Sequence, residues 1–418
     1  MMRDTMKTIK NFLLMGLFHC ALGGLSLYAL DFKHLSLEDA CRLSQKHHPA
    51  IQTAKAELVD RELALKQVQR WSNPEMELNL ENIDSTSGSD PDGEELSEER
   101  ELVFSQSLRL PGYKNAQLDE SQNQLAVSRL KLKLVERDVV LKTSERFWKL
   151  FAAQKTVEIH QSTLRFLKRY ALRLEQLLKE GKIPKTDFRR IQLESGLAQQ
   201  KLDNALRLQT TASLELRQLW GLSEVKEIQV AGEWEHVELP EPDQFSIDQH
   251  AVIQLAKLQV QQAELQERLL EKSNFSNISL KAGIKNHPAI QATGVQVGLS
   301  LELPVFNRRK EEIQRQSNAR LNQAYRQKVD RGRIASRIDE LNANLRVIAR
   351  QLENYAVNLL PLAETEMESI QLSYEEGYHG YLDVLDRLQN TTELRLQYNE
   401  LLLENRIQYD QLMYWLED

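Results

Sequence analysis

Two aspartates near the end of the sequence, Asp383 and Asp386, are spaced so that their carboxylates can act together. They follow Gly377 at positions i and i+3, which places both on one face of a helix. Carboxylates gathered in a narrow passage attract cations and repel anions. The same residues also fit a structural role, because the helix dipole favours aspartate in a first helical turn. The residues alone leave both interpretations open.

An earlier segment of the chain has a related pattern with a different charge. Arg190 follows Gly181 at the place where Asp386 follows the later glycine. Both glycines, Gly181 and Gly377, are predicted to form turns between helices. Arg189 and Arg190 could pair with the two aspartates and hold this end of the molecule closed. We state this as a hypothesis, since exposed ion pairs contribute only about 0–1 kcal/mol each.

The rest of the sequence contains no pattern for catalysis or cofactor binding. No Walker lysine loop, His-Glu-x-x-His, Gly-x-Ser-x-Gly or Cys-x-x-Cys motif occurs. The adjacent His47 and His48 would point about 100° apart on a helix, so a capping or packing role is favoured over chelation. A net charge of −7 argues against nucleic acid as a partner. We expect no enzyme, no cofactor, no catalytic residue and no resident metal site.

Long helices must position the aspartates and arginines. The 418 residues include only 16 glycines and 10 prolines, and none lies between Gly112 and Gly181. As one helix, that segment would extend about 100 Å. Leu167 and Leu174 follow a coiled-coil seam, whereas Leu177 lies off it. Such a helix packs on two neighbours, which favours a wall of helices over an isolated pair.

The chain also repeats itself. Three pairs of landmarks occur in the same order at nearly constant offset: His48-Pro49-Ala50-Ile51 and His250-Ala251-Val252-Ile253, Leu110-Pro111 and Leu303-Pro304, Glu180-Gly181 and Glu376-Gly377. Each half is predicted to contain a helix, two strands, a long helix, a glycine turn and a helix. The predicted divisions are a first repeat over residues 30–233, a linker over 234–246 and a second repeat over 247–418.

Residues 1–29 have the pattern of a secretory signal. Positive residues precede an apolar run from Phe12 to Leu27, and small residues near Ala29 suit cleavage. A retained anchor is the alternative. Cys20 raises the question of lipid attachment, which His19 disfavours because it stands where a small residue is needed. Whether the signal is cleaved or Cys20 is lipidated stays open.

The predicted strands alternate between apolar and small or polar residues. The apolar positions are Met76, Leu78 and Leu80, then Leu102, Phe104, Leu108 and Leu110, then Ile278, Leu280, Ala282 and Ile284, then Val295, Val297, Leu299, Leu301 and Leu303. Each run approaches the nine to eleven residues or so that a tilted strand needs to cross a bilayer. Four aromatic residues mark the helix-side ends, as in an interfacial girdle: Trp71, Tyr113, Phe275 and Phe306. The alternative is a small sheet capping a helical bundle, with these aromatics as its core.

Four strands cannot close a membrane barrel, yet lipid requires every backbone group to be paired. Three copies would supply twelve strands, a number within the range that such barrels adopt. The sequence therefore predicts a mainly α chain with a small β part. Its long helical hairpins would form an α-barrel, and its four transmembrane strands would join a 12-stranded β-barrel in a trimer.

The chain resembles the TolC family of outer-membrane efflux proteins over nearly its whole mature length. The resemblance rests on the duplicated plan and on several junction motifs: Asn73-Pro74, Phe104-Ser105-Gln106 leading to Leu110-Pro111-Gly112, the Leu301 to Arg308 junction, and Tyr374 to Gly377 followed by Leu382-Asp383-Val384-Leu385-Asp386. Within the family, Asn73-Pro74 with Glu81-Asn82 is most similar to the CzcC-type branch, which serves heavy-metal cation pumps.

The resemblance implies a homotrimer in the outer membrane of a Gram-negative bacterium, with a large periplasmic part. It also implies two partners, a periplasmic membrane-fusion adaptor and an RND-type inner-membrane pump, besides outer-membrane lipid. Asp383 and Asp386 would then face the closed periplasmic entrance. His379, where the family often has a basic residue, puts a copied gate network in doubt. Drug efflux, type I protein secretion and a soluble periplasmic coiled-coil scaffold are the alternative functions.

Overall fold

We describe the protein from a computed structural model. It describes residues 32–81, 99–221, 228–234, 247–275, 277–287, 291–376 and 378–416. The predicted signal peptide with Cys20, the linker beyond Trp234, and Gly377 lie outside the described residues. The divisions between signal, repeats and linker therefore stay a prediction.

Helices make up most of the described chain, and they follow the predicted order in both halves. The first half contains α1 (Leu37–His47), α2 (Pro49–Gln69), α3 (Pro111–Lys179) and α4 (Lys185–Gln218). The second half contains α5 (Ala251–Lys272), α6 (Lys310–Asn354), α7 (Leu360–Glu375) and α8 (Tyr381–Leu416). Among the described helices, none combines the length and the apolar character that a membrane-crossing helix needs.

The helix α3 shows how local sequence sets these lengths. Pro111 stands at its start, where the missing N–H is not needed. Its 69 residues end at Lys179, and Gly181, two residues further on, has a φ of 71° in the left-handed region. The N–H of Gly181 donates to the Leu178 carbonyl at 3.0 Å, and that of Lys182 donates to the Leu177 carbonyl at 2.9 Å. These two bonds form a Schellman motif, so Gly181 lies at a helix-terminating turn as predicted.

The second long helix differs from the first. Between α6 and α7, residues Tyr355–Leu359 form one turn of π-helix, and Pro361 follows directly. Proline has no N–H to donate to the preceding turn, which favours a local change of hydrogen bonding. The second repeat therefore reaches a similar length through three joined segments of 45, 5 and 16 residues.

Four strands form one antiparallel sheet in chain order: β1 (Glu75–Glu81), β2 (Glu99–Arg109), β3 (Asn277–His287) and β4 (Ala292–Leu301). The strands β2, β3 and β4 contain 11, 11 and 10 residues, the length that a tilted membrane strand needs. The register places the predicted apolar residues opposite one another on one face: Leu78 with Leu102, Phe104 with Ala282, Leu280 with Leu299, and Ile284 with Val295.

This apolar face is uncovered in the chain. Val295 and Val297 are 83% and 82% exposed, and Met76, Leu78 and Leu299 are also exposed. None of the described helices covers this face, so the described residues do not support the alternative of a sheet packed as the cap of a bundle. Gln106 interrupts the apolar row because its amide donates to the Ser72 carbonyl at 2.9 Å, which ties β2 to the segment before β1.

The hydrophobic cores lie in the helical body. One core lies where α3, α4, α7 and α8 meet, and it includes Leu174, Ile191, Val384 and Leu385. A second core surrounds Trp148 and Trp220, which stack with segments from both ends of the first repeat. A parallel bridge between Leu35 and Val230 closes this second core. The helical body is thus held together independently of the sheet.

Candidate functional site

The tip of the helical body, residues 176–191, 372–376 and 378–388, brings the turn after α3 and the start of α8 to the same end. Leu174 and Ile191 from the first repeat pack with Val384 and Leu385 from the second, all of them buried. Tyr170 lies between the repeats, with its ring centroid 5.3 Å from that of Tyr374. The aspartates and arginines predicted to act together therefore lie on one rigid end.

Asp383 has a defined structural role at this tip. Its Oδ2 atom accepts a hydrogen bond from the Gly380 N–H at 3.0 Å, and its own N–H donates to the Gly380 carbonyl at 3.2 Å. The carboxylate thus satisfies a backbone donor at the start of α8. Asp386 is exposed one turn further along. The helix-start interpretation therefore describes Asp383 within one chain, although both carboxylates are exposed to solvent.

The two repeats meet at the tip through a residue that the sequence did not single out. Tyr381 lies beside Asp187, and Arg190 is close enough to act on the same phenol. Burial raises the pKa of Tyr381, the Asp187 carboxylate raises it further, and the Arg190 guanidinium opposes both. Aspartate at 187 and arginine at 190 therefore contact the second repeat through a tyrosine. A tyrosine at a helix start is uncharged, so the charge pattern of the sequence did not reveal its contact with the first repeat.

Arg189 and Arg190 are both exposed. In the part of the chain that the structure describes, no ion pair within 4.0 Å joins either arginine to Asp383 or Asp386. A further hydrogen bond between α4 and α8 lies further from the tip, where the Gln389 amide donates to Glu194 at 3.0 Å. If the arginines hold the tip shut, as hypothesised, they must therefore do so through contacts between chains.

The opposite end of the body, where all four strands meet helices, is the base of the sheet. Trp71 is 67% exposed, and the ammonium of Lys114 lies 4.6 Å from the centre of its ring. Phe306 is fully exposed, and Tyr113 is half-buried. The side chain of Phe275 lies outside the described residues. Three of the four predicted girdle aromatics thus lie where strands and helices join, and their role as a girdle stays a prediction.

Neither repeated histidine motif has metal-binding geometry. Nδ1 of His48 accepts the Ala50 N–H at 3.1 Å, and Nδ1 of His250 accepts the Val252 N–H at 3.2 Å. Both residues therefore cap helices, which explains why the motif occurs in both halves. Burial lowers the pKa of His48, and Lys142 lowers it further. Within the described ranges, no group of three histidine, cysteine, aspartate or glutamate side chains is arranged to hold a metal ion.

Comparisons with known proteins agree with this architecture. The family model described as "Outer membrane efflux protein" matches residues 41–222. The cobalt-zinc-cadmium resistance protein CzcC of Cupriavidus metallidurans is 21% identical over 376 residues, covering 87% of this chain and 85% of that protein.

Solved outer-membrane channels share the fold. The structure of CusC has a TM-score of 0.76 at 13% identity, covering 91% of each chain. The Campylobacter jejuni CmeC outer membrane channel has a TM-score of 0.75 at 12% identity, covering 91% of this chain and 85% of its own. The match of residues 41–222 to the outer membrane efflux protein family, the similarity to CzcC and the fold shared with solved channels together place the chain in the outer membrane with a large periplasmic helical part. The chain thus has the fold of outer-membrane efflux channels and matches the outer membrane efflux protein family over residues 41–222.

Proposed function

We propose that this protein is the exit duct of a tripartite system that exports heavy-metal cations. The observation that supports an exit duct is the four-stranded sheet. Its apolar face is exposed, and its outer strands β1 and β4 each have one unpaired edge. In lipid, such edges must be paired, because each unsatisfied backbone group costs several kcal/mol or so. A second and a third copy of the chain satisfy both edges.

A homotrimer follows from the same argument. Three four-stranded sheets would join β4 of one chain to β1 of the next and close a twelve-stranded barrel, which removes every free edge. The polar face then lines the lumen. It carries Glu77, Glu101 and Lys281, each on the side of the sheet opposite the apolar residues. The chain supplies no energy source of its own, so an adaptor and an inner-membrane pump complete the system.

The metal cargo rests on similarity to a named metal-resistance protein. The resemblance to CzcC extends over 87% of this chain and 85% of that protein. Cation transport also agrees with the acidic residues at the tip. Three copies of Asp383 and Asp386 would bring six carboxylates to one constriction, which favours cations over anions. Arg189 and Arg190 of a neighbouring chain would be their closing partners.

Growth of a deletion strain tests the cargo. The strain is exposed to cobalt, zinc, cadmium, copper and silver salts and to a set of drugs and detergents, with and without the gene on a plasmid. Metal efflux predicts selective sensitivity to one or more metal salts, restored by the plasmid. Sensitivity to drugs alone would overturn the metal cargo and assign the duct to drug efflux. Loss of a secreted protein from the medium would assign it to type I secretion.

A further inference from the structure

The turn that joins β4 to α6, residues 302–309, has a composition suited to a membrane surface. Leu303 and Val305 are 65% and 60% exposed, and Phe306 has no cover at all at 101%. Exposed apolar residues next to one another are unfavourable in water. Arg308 and Lys310 follow at once, and both are exposed. The turn therefore exposes apolar side chains with two cationic side chains directly beside them.

The turn is held in place by hydrogen bonds. The Val305 N–H donates to the Leu303 carbonyl at 2.8 Å, and the Arg309 N–H donates to the Asn307 side chain at 3.0 Å. Asn274 donates to the Arg308 carbonyl at 3.3 Å. Arg309 has a φ of 54°, and its guanidinium donates to the Ser273 hydroxyl at 2.8 Å. The projection of Phe306 is thus built into the fold.

The first repeat has a similar arrangement at the same level. Trp71 is exposed with the Lys114 ammonium over its ring, and Arg70 precedes it. All four strands join helices at this end, so both aromatic sites border the exposed apolar face. Since the helical body is periplasmic, both sites stand at the periplasmic leaflet of the outer membrane.

We propose that the base of the sheet binds anionic glycerophospholipids of that leaflet. Phe306 inserts among the acyl chains, and Arg308 and Lys310 contact the headgroup phosphates. In the described residues, no carboxylate lies within ion-pair distance of Arg308 or Lys310, so both can accept a phosphate. This inference rests on the outer-membrane placement of the chain and is independent of its cargo.

Three carboxylates lie in the same segment and reduce the expected preference for anionic lipid. Glu311 and Glu312 stand in the first turn of α6, where the helix dipole favours negative charge, and Glu302 follows β4. A basic residue at an anionic membrane surface typically contributes about fivefold in binding. With two cations partly offset by these acids, we expect about a fivefold preference for an anionic over a zwitterionic lipid.

Tryptophan quenching by brominated lipids measures this preference. The full-length protein is reconstituted in phosphatidylcholine vesicles that contain brominated phosphatidylglycerol or brominated phosphatidylcholine. Trp71 is the reporter, because the other four tryptophans, Trp148, Trp220, Trp234 and Trp415, pack in the cores of the helical body. Stronger quenching by phosphatidylglycerol, reduced at high salt, is expected. Equal quenching by both lipids would overturn the proposal.

Variants then locate the effect at the second-repeat turn. The background for these variants is Trp71→Phe with Phe306→Trp, which moves the reporter tryptophan to the turn. In this background, Arg308→Gln with Lys310→Gln should bring the ratio of quenching by phosphatidylglycerol to quenching by phosphatidylcholine close to one. Arg326→Gln with Lys328→Gln is the matched control, since it removes the same charge at the same spacing about 24 Å further along α6. The control should keep the preference. An equal loss in both variants would show a general charge effect and would contradict a site at the turn.

Discussion

The indole nitrogen of Trp220 donates a hydrogen bond to the hydroxyl of Ser44 at 2.8 Å, and both side chains are buried. The hydroxyl of Thr143 is bonded to the same Ser44 oxygen at 2.8 Å. One small side chain on α1 therefore joins the long helix α3 to the segment that follows α4. The meeting of these three residues gives each buried polar side chain a hydrogen-bond partner.

Replacing Ser44 with alanine should destabilise the helical body. The Trp220 indole would keep only its longer contact of 3.3 Å to the Ala40 carbonyl. Leaving a buried donor poorly satisfied costs about 1–3 kcal/mol. Thermal unfolding of the purified protein, followed by circular dichroism, should show a lower midpoint. Ser336→Ala, at an exposed position within α6, is the control and should change stability by less than about 0.5 kcal/mol.

The His48 cap should make stability sensitive to acid. Nδ1 must be unprotonated to accept the Ala50 N–H, and the pKa of His48 is lowered in the fold by burial and by Lys142. The unfolded chain therefore binds the proton more readily. Stability is fully present above the ordinary histidine pKa of about 6.5 and is lost as pH falls through that value toward the lower folded one. Melting curves at pH 7.5 and pH 5 measure the loss.

His48→Asn keeps a capping side chain without a titrating ring, so it should flatten this pH dependence. His47→Asn leaves the cap intact and is the control. A pH dependence that is unchanged by His48→Asn would mean that the cap does not titrate in the relevant range.

Substitutions at two glycines, Gly181 after α3 and Gly332 within α6, test the turn at the tip. Gly181→Ala places a side chain at φ 71° and should destabilise the hairpin by about 1 kcal/mol. Gly332→Ala lies in the middle of α6, where an added Cβ meets nothing within 4 Å, and should stabilise by roughly 0.5–1 kcal/mol. Opposite shifts in the melting midpoint are expected. An unchanged or higher midpoint for Gly181→Ala would contradict the assigned turn geometry.

Gly283 should be needed for sheet formation. A Cβ there would lie 2.9 Å from the Leu102 carbonyl oxygen and 3.1 Å from the Val103 side chain, too close for either. Gly283→Ala should therefore weaken the pairing of β2 with β3 by about 1–3 kcal/mol. Gly298→Ala meets only Lys281 Cβ, at 3.6 Å, and should assemble normally. Electrophoresis without heating, which separates folded from unfolded outer-membrane sheets, distinguishes the two variants.

Removing the charge at the tip tests the proposed cation entrance. Asp383→Asn with Asp386→Asn keeps an oxygen that can accept the Gly380 N–H but removes two carboxylates. In planar bilayers under a salt gradient, the reversal potential should shift toward zero as cation preference falls.

The matched variant for this test is Asp203→Asn with Asp339→Asn, which removes the same charge at exposed positions in α4 and α6. It should leave the reversal potential unchanged. Unchanged selectivity in the tip variant would remove the entrance from the proposed function.

The sequence predicted the fold well because its signals were local. Alternation placed the residues of β3 and β4 on one face, and Gly181 marked the end of α3. The sequence did not predict contacts between residues that are distant along the chain. Tyr381 beside Asp187 and the amide of Gln106 on Ser72 depend on how elements meet, and neither has a charge pattern that reveals its partner. The role of Asp383 was undecided in the sequence for the same reason.

The single π-turn between α6 and α7 sets the rotational phase of everything that follows it. A π-turn accommodates one residue more than an α-helical turn, so the helix beyond it is rotated by about 100° relative to an uninterrupted one. Met367 is buried in the core at the tip, and Ile370 packs against that core, in the phase that this rotation sets. Deleting one residue between Asn354 and Leu360 should restore α-helical hydrogen bonding and keep both side chains facing the core. The second repeat therefore tolerates an unequal length by storing the extra residue where the helix can absorb it, far from both the sheet and the tip.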